Sequence, residues 1–131
     1  MGKLKSAGAR VERALVNKIR SEGGWAVRAP ASLGPFDVVA FWNGKILLIQ
    51  CKSCRDDKCY VGKSEVENML SELEAVEKAV KGLIPVKAYV YVKRRRKKGS
   101  EAFVEVKKKH KGKSLTILFS EKGVNLKTAS R

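Results

Sequence analysis

The sequence predicts an α/β fold in which a central mixed β-sheet is flanked by helices. Three observations carry that prediction: several apolar runs of strand length, an Asn43-Gly44 dipeptide set between two of them, and two longer stretches whose apolar residues recur at helical spacing. They read in the order αβββαβββ. Nothing repeats internally, and residues 1–131 are expected to form one domain.

Residues 9–22 form the first expected helix, because Val11, Ala14, Leu15, Val16 and Ile19 share one side of it and Gly23-Gly24 favours a helix end. A short strand at 25–28 follows, then a Pro/Gly/Ser loop over 30–35 and a strand over 36–42. Asn43-Gly44 closes a hairpin, since both central residues of a type I′ turn need positive φ. The returning strand covers 45–52. A loop over 53–62 leads to the second helix, opened by a capping box from Ser64 to Glu67 and ended at Gly82. Val66, Met69, Leu70, Leu73, Val76 and Val80 make its apolar stripe. Runs at 86–92, 102–106 and 115–119 complete the strands, separated by the basic stretches KRRRKK at 93–98 and KKKHKGK at 107–113.

With 44% apolar residues the chain can bury a core, yet it sets 29 Lys plus Arg against only 13 Asp plus Glu. A formal charge of +16 repels itself unless the partner is a polyanion, which demotes small acidic substrates and neutral peptides. No run approaches the roughly 20 apolar residues that cross a bilayer. The opening MGKLKSAGARVERAL also lacks an uninterrupted apolar signal segment, so a cytoplasmic protein without a membrane partner is expected. Cys51, Cys54 and Cys59 are too few for a secreted disulfide framework and fit a reducing compartment. A zinc site lacks a fourth ligand nearby, and Cys51 faces away from its neighbour Gln50. Cys51 therefore reads as a small core residue, with Cys54 and Cys59 able to pair under oxidising conditions. Trp25, Phe41 and Trp42 read as core or interface aromatics, and His110 as an exposed ring.

The hairpin fixes a register. With Asn43-Gly44 at the tip, opposed residues have numbers that sum to 87, which puts Asp37 opposite Gln50 and, by the period of two, Lys52 on the same face. FDVVAFW and ILLIQCK are otherwise apolar, the pattern of strands buried on both faces, where an unpaired carboxylate is costly. A divalent cation held by Asp37, the Gln50 side-chain oxygen, a backbone carbonyl near Cys51 and water would compensate it, since Mg²⁺ prefers hard oxygen ligands. Lys52 would stand beside it to stabilise charge developing on a phosphate. Glu12 lies on the same side of the first helix as Leu15, Val16 and Ile19, so it points toward the sheet and joins the set as a metal or water-positioning carboxylate. The alternative for these residues is an ordinary Asp37–Lys52 ion pair with Gln50 hydrogen-bonded in the sheet.

The ordered set Gly8-x-x-x-Glu12-Arg13, Gly24-Trp25-Ala26-Val27-Arg28, Gly34-Pro35-Phe36-Asp37-Val38-Val39-Ala40, Asn43-Gly44-Lys45 and Leu48-Ile49-Gln50-Cys51-Lys52 resembles the archaeal Holliday junction resolvases, members of the PD-(D/E)xK nuclease superfamily. The similarity covers about residues 6–82 and fades in the C-terminal strands. It implies a restriction-endonuclease-like core and a homodimeric endonuclease, dependent on Mg²⁺ or Mn²⁺, that cuts opposing strands of a four-way DNA junction. By resemblance Glu12, Asp37 and Lys52 fall on catalytic positions, and Arg13 and Arg28 on basic positions near the scissile phosphate. Ser32 lies in a loop where relatives carry a serine that matters for cutting; the other reading is a plain loop serine.

Two departures stand out. Pro35 is displaced by one residue from Asp37, and Gln50 occupies the place of an acidic ligand, offering a carbonyl oxygen without negative charge. Phosphate contacts are expected from Arg10, Arg13 and Arg28 and from Arg94, Arg95 and Arg96 in the first basic stretch, positioning the protein on DNA without reading sequence. The alternatives to a junction resolvase are a related nuclease acting on other DNA or RNA structures, and a non-catalytic nucleic-acid-binding protein motivated by Gln50.

Overall fold

The computed structural model describes residues 2–29, 34–94 and 100–130, with side chains from residue 8 onward. Helix α1 (Gly2–Ser21) precedes strands β1 (Trp25–Arg28), β2 (Val38–Trp42), β3 (Lys45–Cys54) and β4 (Lys58–Val61). Helix α2 (Lys63–Ala79) then leads to β5 (Val86–Arg94), β6 (Glu101–Val106), a 3₁₀ turn (Lys108–His110), β7 (Ser114–Ser120) and β8 (Gly123–Ala129).

Five strands form the central sheet in the order β1-β2-β3-β5-β6. It is mixed, as expected: only β3 and β5 run parallel, joined through β4 and α2, and the other neighbours are antiparallel. The sequence does not separate the remaining strands. β4 and β8, which it leaves as loop, pair with β7 in a second, three-stranded sheet ordered β4-β7-β8, so the 115–119 run belongs outside the central sheet.

Alternation assigns each face of the central sheet. Ala26, Val38, Ala40, Leu47, Ile49 and Tyr91 pack with Leu15 and Ile19 of α1. Ile46, Leu48, Val86, Ala88, Val90 and Val92 pack on the other face with Val66, Met69 and Leu73 of α2 and with Leu115 and Ile117 of the small sheet. Fully burying one such aliphatic side chain contributes ~1.5–3 kcal/mol. The Cys54–Cys59 pair is a disulfide, with Cα atoms 5.8 Å apart, and it ties the end of β3 to β4 across the two sheets.

Helix α1 stops where expected. Gly23 takes φ +94°, and the Gly23 and Gly24 N–H groups donate to the Arg20 and Ile19 carbonyls, capping the last turn. Asn43 and Gly44 both take positive φ, and Trp42 faces Lys45, as the type I′ turn requires. Helix α2 differs at its start. Its N-cap is Gly62 rather than Ser64, and the acid that folds back onto the cap is Glu65 rather than Glu67: the Gly62 N–H donates to Glu65 Oε1 at 2.9 Å.

Two side-chain expectations also change. His110 is buried in the 3₁₀ turn, where its Nδ1 accepts the Lys107 N–H at 3.0 Å; burial and then Lys109, Lys113 and Lys107 hold its pKa below the usual value. Trp25 and Phe41 are each 47% exposed and packed on one another, with the Arg20 guanidinium over the Trp25 ring, so of the two readings, core and interface, only the interface one remains for them.

Candidate functional site

A step in the central sheet builds the site. β2 pairs with β3 only as far as Val38 opposite Ile49, while β3 runs on to Cys54 alongside β5. Residues 50–54 of β3 therefore have an edge that β2 does not cover, and Asp37 sits at its start. The hairpin arithmetic holds up to this point and then slips. Asp37 donates its N–H to the Ile49 carbonyl at 2.8 Å, and its carboxylate turns along the edge, where Oδ2 accepts the Cys51 N–H at 2.8 Å. Asp37 is not paired squarely with Gln50; its carboxylate reaches the Cys51 backbone, within the electrostatic reach of Glu12 and Lys52.

That position joins groups from both sides. On the α1 face, Glu12 accepts a hydrogen bond from Arg28 Nε at 3.0 Å. On the α2 face, Gln50 and Lys52 point the same way, as their spacing requires, and Lys52 Nζ lies 3.0 Å from Glu65 Oε2. Burial is the largest influence on Asp37 and pushes its pKa above the usual carboxylate value. The Cys51 N–H opposes this, nearby Glu12 adds to it, and Lys52 offsets part of it. Glu12, Asp37 and Lys52 are thus electrostatic neighbours. The Cys51 thiol, buried beside the two acids, is pushed strongly up and stays protonated.

Gln50 carries the clearest sign of a missing ligand. Its Nε2 donates to the Pro35 carbonyl at 3.3 Å, but its Oε1 is buried without a hydrogen-bond partner. An unpartnered carbonyl oxygen beside a carboxylate that is costly to ionise is the donor chemistry of a hard divalent cation, so the residues fit a metal. Among the described residues no three His, Cys, Asp and Glu side chains form a ready-made metal cluster. That follows from the amide at position 50 and from Glu12 and Glu65 lying on opposite sides of the sheet.

The sequence reading missed Glu65. Burial alone would raise its pKa, yet the Gly62 N–H, the Lys52 ammonium and the Gln50 amide together hold it below the usual value. Its signal was the capping position, which Ser64 and Glu67 imitate one turn-start too late. The basic candidates divide. Arg10, Arg13 and Arg28 are exposed along or beside α1. Arg94, expected on phosphate, is instead held inside the molecule by an ion pair with Asp57 and by its packing over the Phe119 ring at 5.3 Å. Ser32, Arg95 and Arg96 lie outside the described residues.

A family model described as archaeal Holliday junction resolvase (Hjc) matches residues 3–129. The chain belongs to that family. It is 36% identical over 75 residues to a crossover junction endodeoxyribonuclease Hjc of Sulfurisphaera tokodaii, covering 53% of this chain and 52% of that one. The Sulfolobus acidocaldarius protein of the same name is 37% identical over 71 residues, covering 50% of each. The chain thus spans about half the length of the curated relatives it matches. A solved Hjc of Archaeoglobus fulgidus, titled a Holliday junction resolvase, superposes with a TM-score of 0.61 at 22% identity, covering 95% of this chain and 85% of that one. This likeness shows the fold, a mixed sheet between two helices. Nucleases of the family are metal-dependent.

Proposed function

We propose that this protein is a structure-specific DNA endonuclease that resolves four-way junctions by metal-dependent phosphodiester hydrolysis. The observation that carries the reading is the Asp37 carboxylate at the uncovered edge of β3, held by the Cys51 N–H within the electrostatic reach of Glu12 and Lys52, with an unpartnered side-chain oxygen on the preceding residue, Gln50. Family membership supports it. The whole chain acts as one nuclease domain in the cytoplasm, and pairs with a second copy so that two sites meet two strands of similar geometry. Among the described residues no helix is long and apolar enough to cross a membrane.

Asp37, Gln50 and Glu12 are the groups that would hold Mg²⁺ or Mn²⁺. When bound, such an ion supplies a water of lowered pKa and a positive charge at the phosphate. The chain's own residues do the rest. The Cys51 N–H fixes the Asp37 carboxylate, and the Lys52 ammonium, anchored by Glu65, stands where it can stabilise negative charge growing on the phosphoryl oxygens. Arg28, positioned by Glu12, and Arg13 hold the strand by its phosphates.

A metal-dependent cleavage assay on a four-way junction, a flap, a linear duplex and an RNA tests the reading. The parent chain cuts the junction in preference to the others, and Asp37→Ala abolishes cutting while junction binding survives. Unchanged cutting by that variant removes the site, and equal cutting of all substrates favours a general nuclease. Gln50 motivates a second reading, a junction-binding protein without catalysis. Turnover by the parent chain excludes it, whereas activity that appears only in Gln50→Glu establishes it.

A further inference from the structure

Lys52 on β3 meets Glu65 in the first turn of α2 at 3.0 Å, and between them the chain leaves the central sheet, makes β4 and caps the helix. The disulfide closes the neck of that excursion. Cys54 lies two residues after Lys52, and Cys59 three residues before Gly62, the N-cap whose N–H donates to Glu65 Oε1 at 2.9 Å. The ammonium and its anchor thus stand on either side of one covalent bridge.

Strand pairing does not fix these parts against each other, because β3 belongs to the central sheet and β4 to the small one. Other ties on the loop lead elsewhere: Asp57 pairs with Arg94 at the end of β5, and its carbonyl accepts the Phe119 N–H of β7 at 2.8 Å. Beyond Ile49, β3 is uncovered by β2 and pairs with β5. Cys59 is buried and Cys54 packs against the same apolar cluster, which sets the bridge inside the layer between the two sheets. A partly exposed Lys–Glu pair is too weak by itself to hold an ammonium to the fraction of an ångström that a reacting phosphate demands.

We propose that Cys54 and Cys59 are positioning residues for the reaction: their bridge locks the start of α2 onto the tip of β3, and through Glu65 it holds the Lys52 ammonium in place. This rests on the nuclease reading above. Opening the bridge takes two electrons and two protons. A dithiol supplies them, leaving two protein thiols and becoming a disulfide itself, so the placement of Lys52 follows the thiol–disulfide balance around the protein.

The competing account is that the bridge adds only general stability. Four forms separate the two: the bridged parent, the parent reduced by a dithiol that is then removed, Cys54→Ala/Cys59→Ala, and Glu65→Gln compared bridged and reduced. A thermal melt sets a temperature at which every form is folded. Titrating thiols in the unfolded chain reports the bridge, with Cys51 alone reacting in the bridged parent and all three cysteines after reduction. Expected on opening the bridge, by reduction or by the double variant, is a loss of about tenfold or more in cutting rate at saturating junction, with junction affinity unchanged. In Glu65→Gln, reduction costs little further. Amide exchange at Gly62 quickens on reduction, while exchange in β5 stays at the bridged value. Three reactive thiols in the untreated parent overturn the inference, and so does an unchanged rate in both opened forms. An equal loss on reducing Glu65→Gln also overturns it, because the bridge then acts by another route than Lys52. A bridged parent that cuts no junction sinks the proposed function, and Gly62 exchange alone then decides whether the bridge holds the start of α2.

Discussion

Asp37 and Glu65 respond to burial with opposite results, and that difference is measurable without DNA. Asp37, pushed up mainly by burial and then by Glu12, is a carboxylate whose ionisation works against the fold. Its contribution to stability is fully present below the ordinary carboxylate pKa and is lost as pH rises through the raised value. Asp37→Asn keeps an oxygen for the Cys51 N–H but cannot ionise, so in metal-free buffer it melts higher than the parent at pH 7, with the difference closing near pH 3. Melting curves at the two pH values check this; a variant less stable at pH 7 would mean that Lys52 and the Cys51 N–H outweigh burial. Glu65 carries the other sign, since its lowered pKa adds stability above the ordinary carboxylate value that is lost as pH falls. Only the first of these acids was legible in the sequence. Asp37 stands out as a charge inside an apolar run and its place follows from one local turn. Glu65 acquires meaning only when α2 packs over the end of β3, a contact between residues thirteen apart that no periodicity announces.

The elements were legible in proportion to how local their signals are. Helix α1, the β2-β3 hairpin and the stripe of α2 each follow from spacing within one segment. β4 has four residues, of which only Cys59 and Val61 are buried, and it exists because β7, more than fifty positions away, supplies its ladder. β8 is exposed along its whole length, so no buried face marks it in the sequence; it follows β7 through a tight turn at 121–122. Two glycines near α1 show how packing and propensity diverge within one element. A Cβ at Gly24 would lie 2.6 Å from Ile19 Cγ2 and 2.9 Å from the Trp42 ring, so Gly24→Ala forces the helix end away from the sheet and costs ~1–3 kcal/mol. Gly8 lies inside α1 with nothing within 4 Å of a Cβ, so Gly8→Ala stabilises by ~0.5–1 kcal/mol. Urea unfolding of the two variants measures both; the same sign for both would contradict the close approach at Gly24.

At the scale of the molecule, the charge of +16 is the property that sequence composition reports most directly, but composition cannot say which cations face outward. Folding decides that. Lys18 and Lys93 are taken by Glu101, Lys52 by Glu65 and Arg94 by Asp57, whereas Arg10 and Arg13 stand exposed on α1 next to Glu12, which faces the site. Each phosphate neutralised on a duplex releases condensed counterions and steepens the fall of log affinity with log salt by about 0.9. Replacing Arg10 and Arg13 together by alanine is therefore expected to weaken junction binding and flatten the salt dependence by about 2, with Mn²⁺ affinity unchanged, because neither residue touches Asp37 or Gln50. Arg94→Ala gives the reverse pattern: the salt slope stays at the parent value, while stability falls because Asp57 and Phe119 lose the guanidinium that joins the end of β5 to the small sheet. Binding isotherms at a series of salt concentrations, read beside melting curves, distinguish the two classes of arginine. A slope that changes with Arg94 and not with the α1 pair would place the DNA on the small-sheet side of the molecule, away from the uncovered edge of β3.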